Sequence, residues 1–149
     1  MKFVFILFTS AAFLFACNSA ETQAEPTASN ETVSKSPLSD SANFTSIEWI
    51  DSTFRDLGNI KAGQVVEVTW RLKNSGNKPL IIENVMPGCG CTVAEKPEEP
   101  IMPGAEGIIK GKFDSNGQSD GEHRKAITVL ANTVAKTNHQ LEFRVNIAK

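Results

Sequence analysis

Two cysteines one glycine apart, Cys89-Gly90-Cys91, sit inside the stretch ENVMPGCGCTVAEKP, residues 83–97. Three chemistries are open to such a pair. A disulfide needs Cβ atoms about 3.5–4.5 Å apart, whereas side chains two residues apart on an extended strand are separated by about 7 Å. The bond therefore requires the chain to bend at Gly90, which glycine permits. A thiol–disulfide exchanger needs a cation or a helix N-terminus to lower a thiol pKa, whereas Glu83, Glu95, Glu98 and Glu99 would raise it. A soft-metal site would join two thiolates to the thioethers of Met86 and Met102, a donor set suited to Cu(I). Zinc would want four close ligands, and His123 and His139 are remote in sequence. The spacing points to a residue pair that shapes a turn more than it catalyses, with the exchanger and the metal site kept as alternatives.

No other group of residues has the spacing of a catalytic constellation. Ser, His and Asp occur without a nucleophile elbow or a triad order. Asn116, Asp120 and Glu122 do not match a calcium loop. Trp70 alternates with Val66, Val68 and Leu72 and reads as core, while Trp49 lies near the domain edge and is more open. Both histidines precede apolar strand patterns and are expected to be solvated. No cofactor is called for and an enzyme is not expected.

The compartment follows from the first residues. Met1-Lys2 precedes an apolar run from Phe3 to Ala16, which has the form of a secretory signal too short to span a bilayer well. The run ends in Leu14-Phe15-Ala16-Cys17, which resembles the bacterial lipobox. That resemblance implies cleavage after residue 16 and a lipid on Cys17, which anchors the chain because each buried CH₂ contributes about 0.8 kcal/mol. With residues 1–16 goes Lys2, moving the net charge from −2 to −3. There is no basic patch, so nucleic acid is not an expected partner. An exported chain resides where disulfides form, and two cysteines remain once Cys17 is lipidated.

Residues 17–43 carry only Val33 and Leu38 as large apolar side chains and are rich in Ser, Thr, Ala, Glu and Asn. Such a segment cannot bury enough surface to offset chain entropy and is expected to be a disordered tether of roughly 28 Å root-mean-square reach. Residues 44–149 are the domain that must position the cysteine pair. Apolar residues recur there with period two. Val66, Val68, Trp70 and Leu72 share one face, Leu141, Phe143, Val145 and Ile147 another, and Ile109 and Phe113 oppose Lys110 and Lys112. Turn signals separate about seven strands, expected at 46–50, 64–74, 79–86, 91–95, 106–114, 123–132 and 139–148. The fold class expected is all-β, an antiparallel sandwich.

From Phe54 to Gly121 the ordered features Leu57-Gly58, Ile60, Gly63, Leu72-Lys73-Asn74-Ser75-Gly76, Pro79-Leu80, Cys89-Gly90-Cys91-Thr92, Pro103-Gly104, Gly107 and Phe113 resemble the bacterial family known as domain of unknown function 1573. The resemblance implies an immunoglobulin-like sandwich of the adaptor kind, often carried on short lipoproteins of Bacteroidetes-type bacteria. The function expected is a non-catalytic binding or scaffold domain, lipid-anchored in the cell envelope on the periplasmic face of the outer membrane, with an envelope protein as partner. Gly88, Gly90, Thr92, Pro103 and Gly104 are the expected binding-loop residues, on the expectation that the cysteine loop and the 97–104 loop share one end of the sandwich.

Overall fold

Alternating apolar residues become strands wherever one face can be covered. In the computed structural model, which describes residues 36–148, eight strands form. They are β1 (Ile47–Trp49), β2 (Phe54–Lys61), β3 (Val65–Asn74), β4 (Ile82–Pro87), β5 (Thr92–Glu95), β6 (Glu106–Asp114), β7 (Gly121–Ala131) and β8 (Asn138–Ala148). One sheet has the order β1-β3-β6-β5 and the other β2-β8-β7-β4. The result is an immunoglobulin-like β-sandwich, and no helix among the described residues is long and apolar enough to cross a membrane. The signal segment, Cys17 and residues 18–35 of the expected tether lie outside the described residues. Of that tether, Pro37–Ser39 and Ser41–Asn43 form two short 3₁₀ turns.

The core is the meeting of the two predicted apolar faces. Val68, Trp70, Leu72, Ile109 and Phe113 of one sheet pack on Ile127, Val129, Leu141, Phe143, Val145 and Ile147 of the other, all buried. Phe143 sits at the centre, 5.8 Å from the ring of Phe113 in an edge-on contact and 6.4 Å from Trp70. Ring pairs in such tilted and edge-on geometry contribute about 0.5–1.5 kcal/mol beyond the area they bury. Trp70 Nε1 is buried without a hydrogen-bond partner, so the ring is held by packing alone.

Two features depart from the sequence reading. β2 is an eighth strand, and it pairs parallel with β8, so the sandwich is not wholly antiparallel. Its pattern hides it. Only Ile60 is buried, Gly58 takes φ +69°, and the register breaks between Asp56 and Asn59. The stretch 79–86 is divided: Leu80 makes an isolated bridge to Ile101, and the strand proper begins at Ile82.

The Asn74-Ser75-Gly76 turn shows how the strand ends are locked. The buried Asn74 side chain donates to the carbonyls of Lys78 (2.7 Å) and Ile101 (2.8 Å) and accepts from Thr45 Oγ1 (3.0 Å) and Gly76 N (3.1 Å). Asn132 does similar work, donating to the carbonyls of Asn43 and Pro79 and accepting from Ile81 N at 2.7 Å. A buried amide so fully bonded converts loose loops into one rigid end.

Candidate functional site

Cys89 and Cys91 are joined by a disulfide, with Cα atoms 5.3 Å apart. The chain leaves β4 at Pro87 and turns through Gly88–Cys91 before entering β5 at Thr92. The bend is made without a left-handed residue: Gly90 is not among the glycines with positive φ, and a Cβ there would meet nothing within 4 Å. The turn is pinned by backbone bonds. Gly88 N donates to Ala126 O (2.9 Å), Thr92 N to Cys89 O (3.3 Å) and Asp114 N to Cys91 O (3.0 Å). Both cysteines are half-buried, and Cys91 packs against the core. Closing a ring of three residues removes little chain entropy, about 1.6 kcal/mol, against about 3 kcal/mol for a fifteen-residue loop.

The hydroxyl of Thr92 lies 3.5 Å from Cys89 Sγ and 4.0 Å from Cys91 Sγ. Across the strand pair Thr92 faces Phe113, and over the Phe113 ring lies the Lys125 ammonium, 5.6 Å from its centroid. This cation is on β7, distant in sequence from the pair. The glutamates nearby in sequence lie elsewhere. Glu95 ends β5, opposite Lys110, and Glu98 and Glu99 follow it away from the turn. Glu83 is at the start of β4, where one carboxylate oxygen accepts from Ser36 Oγ at 2.6 Å.

The expected single binding end is divided in two. Gly88, Gly90 and Thr92 stand where β6 ends, because Thr92 pairs with Phe113. Pro103 and Gly104 stand where β6 begins, and the run from Glu106 to Phe113 spans about 23 Å at 3.3 Å per residue. Gly104 has φ +80° and donates its N–H to Asn74 O at 2.9 Å. Its role is thus a tight turn on the Asn74 lock. The two methionines are divided in the same way. Met86 pairs with Thr128 near the cysteines, and Met102 lies in the distant loop beside Ile101. The soft donor set is therefore not assembled, and the two sulfurs of the pair are bonded to each other.

A second feature lies at the edge of the sandwich. A cleft of about 370 Å³ opens beside β1, lined among others by Ile47, Trp49, Thr133, Val134, Lys136 and His139. His139, expected to be solvated, is buried. The hydroxyl of Thr133 donates to the Lys136 carbonyl and accepts from His139 Nε2 at 2.8 Å. Trp49 meets the imidazole edge-on at 5.9 Å. Burial, helped by the Lys136 charge and opposed by the Lys136 carbonyl, holds the His139 pKa below its ordinary value, so the ring is neutral near pH 7. Sequence reasoning missed this site because its parts come from β1, the β7–β8 loop and β8. The one available signal was the more open Trp49.

Along β1 the hydrogen bonds alternate. Ile50 N bonds to Arg71 O of β3 and Ser46 O to the N–H of Ser75, just past its end, and Glu48 pairs with Lys73 between them. The antiparallel rule then turns the backbone groups of Ile47 and Trp49 toward the open side. Three residues of edge strand adjoin a mainly apolar cleft, with Val134 64% exposed at its rim.

Sandwich, open edge and cysteine turn together place the molecule among immunoglobulin-like β-domains. Residues 47–147 match the family described as "Protein of unknown function (DUF1573)", and the chain belongs to it. No curated protein matches the sequence. Among solved structures it is similar to a protein of unknown function from Porphyromonas gingivalis W83, with 17% identity and TM-score 0.60. That likeness covers 72% of this chain and 49% of the other, so the chain spans about half the length of its relative. It is also similar to the YadV chaperone, with 20% identity, TM-score 0.51 and coverage of 69% and 52%. The VesB protease of Vibrio cholerae matches at 10% identity and TM-score 0.51, over 72% and 32%. At such identities these likenesses show the fold alone.

Proposed function

We propose that this chain is a lipid-anchored, non-catalytic binding domain of the cell envelope that captures an extended segment of an envelope protein along β1. The open edge of β1 beside the Trp49–His139 cleft carries the reading. An added strand takes main-chain hydrogen bonds from Ile47 and Trp49, and an alternate side chain enters the cleft, which is the usual division of affinity and specificity in strand addition. The cleft volume of about 370 Å³ is within the range that holds a large side chain or small ligand. Lipid on Cys17 would hold the domain at the membrane, on the periplasmic face of the outer membrane, with residues 18–35 as the tether.

A photoreactive amino acid at Val134 tests the reading in cells that make the full chain. One discrete protein adduct is expected from position 134 and none from Glu67 on the outer face of β3. Equal labelling from both positions, or none from either, rejects capture at this edge. Cys17→Ser is expected to move the protein from the membrane to the soluble fraction, and unchanged membrane association rejects the lipid anchor.

A further inference from the structure

We propose that Cys89–Cys91 is an exchangeable disulfide, a two-electron acceptor for a protein dithiol, and not a staple of the fold. The bond ties no distant parts together, because the β4–β5 connection is held by the three backbone hydrogen bonds at Gly88, Thr92 and Asp114. Both cysteines are half-buried, and the side of the turn at Gly90 is open. Gly90 between the cysteines is exposed, with open space where a side chain would stand. Met86 and Val93, 40% and 62% exposed, flank the turn in sequence, one on the outer face of each sheet. The charges that counted against thiol chemistry in the sequence are carried away by β4 and β5. The charged residues the fold brings to this end are Asp114, whose N–H bonds the Cys91 carbonyl, Lys112, opposite Val93, and Lys125, over the ring paired with Thr92.

The two sulfurs are unequal. Cys91 packs on the core and Cys89 does not, so an incoming thiolate attacks Cys89 Sγ. The Cys89–Cys91 bond breaks and its electron pair leaves on Cys91 Sγ. Thr92 Oγ1, 3.5 Å from Cys89 Sγ and 4.0 Å from Cys91 Sγ, is the hydroxyl within reach of either sulfur, and water protonates the thiolate that leaves. The partner's second thiolate then attacks the partner's own sulfur in the mixed disulfide and releases Cys89, which is protonated in turn. The partner has lost two electrons and two protons to become a disulfide, and Cys89 and Cys91 hold both as thiols. One equivalent of dithiol is consumed per chain.

The test uses the full chain carrying Cys17→Ser, so that the pair supplies the only cysteines. It is mixed with a reduced dithiol peptide bearing apolar flanks, or with glutathione, then acid-quenched and alkylated, and the alkyl groups are counted by mass spectrometry. Oxidation of the peptide one-for-one with the gain of two alkylated cysteines is expected, faster than with glutathione. Thr92→Val is expected to slow the step about tenfold, the worth of one hydrogen bond to a charged sulfur. A single-cysteine chain keeping Cys89 is expected to react with an aromatic disulfide reagent faster than one keeping Cys91, and equal rates overturn Cys89 as the attacked sulfur. A pair that stays oxidised in excess dithiol, or a loss of the β signal in circular dichroism on reduction, makes the bond a staple and overturns the proposal. Equal rates with glutathione and peptide overturn the protein dithiol as donor and assign the small-thiol pool.

Discussion

Glycines that look alike in the chain are required for different reasons. A Cβ on Gly76 would lie 2.1 Å from Thr45 Oγ1 and 2.6 Å from Ser46 N. The second of these is backbone, held in β1's approach to β3, and cannot move aside cheaply. Gly76→Ala is therefore expected to lower stability by about 1–3 kcal/mol, the usual cost of overpacking. Gly90→Ala fills open space at an ordinary φ and is expected to stay within about 0.5 kcal/mol of the parent. Denaturant titration of both variants checks the pair, and equal losses would contradict the packing described for Gly76. The same comparison separates two parts of the family pattern: Asn74-Ser75-Gly76 is explained by the fold, while Cys89-Gly90-Cys91 is not explained by packing alone.

The elements are held together by amides at their ends as much as by the sheet ladders. Asn74 closes β3 and reaches Thr45, Gly76, Lys78 and Ile101. Truncating it strands the Lys78 carbonyl and the Thr45 hydroxyl away from their partner. Asn74→Ala is expected to cost about 2–4 kcal/mol, more than a single net hydrogen bond, because buried groups are left unpaired. Thermal unfolding monitored by circular dichroism checks it. Asn74→Asp should recover little, since a carboxylate cannot donate to the two carbonyls. β2 is the counterpart, an edge strand with one buried residue, tied by Asp56 to Arg144, which also reaches Glu122 at 3.2 Å. Its weak apolar pattern is why an alternation search passes over it. Backbone pairing with β8, the buried Ile60, and Leu57 packed against the core hold it, and the exposed charge pairs add little.

For the whole molecule, the lowered groups His139, Asp51 and Asp56 act in one direction as the solution is acidified. Burial lowers the His139 pKa, so the unfolded chain binds the proton more readily, and stability falls as pH drops below 6.5 toward the folded value. Asp51 and Asp56 are also lowered, first by side-chain hydrogen bonds from Arg71 and Arg144. Their contribution is present above the ordinary value of 3.8 and is lost as pH falls through the depressed one. Because both aspartates are at the surface, salt weakens that part. Denaturant midpoints measured from pH 8 to pH 3 are expected to be level above about 7, to decline below 6.5, and to decline again below about 4. His139→Gln is expected to remove the first decline and keep the second. Parallel curves for the two proteins between pH 5 and pH 7 would contradict the neutral, buried state of His139.

The period-two faces of β3, β6 and β8 were legible from residue order alone, because a strand whose alternate residues are apolar can satisfy water and core in only one register. So were the all-β class, the turn at Gly88–Cys91 and the family. Three things were decided only in three dimensions. The pairing of β2 with β8 depends on backbone hydrogen bonds that residue type scarcely encodes. The separation of the cysteine turn from the 97–104 loop depends on β6 running between them, which adjacency in sequence conceals. The environment of the sulfurs, with the glutamates borne off and Asp114, Lys112 and Lys125 brought to that end, depends on contacts between residues far apart in the chain. Local periodicity is set by neighbours in sequence, while charge and access at a site are set by neighbours in space, and those exist only once the sheets have paired.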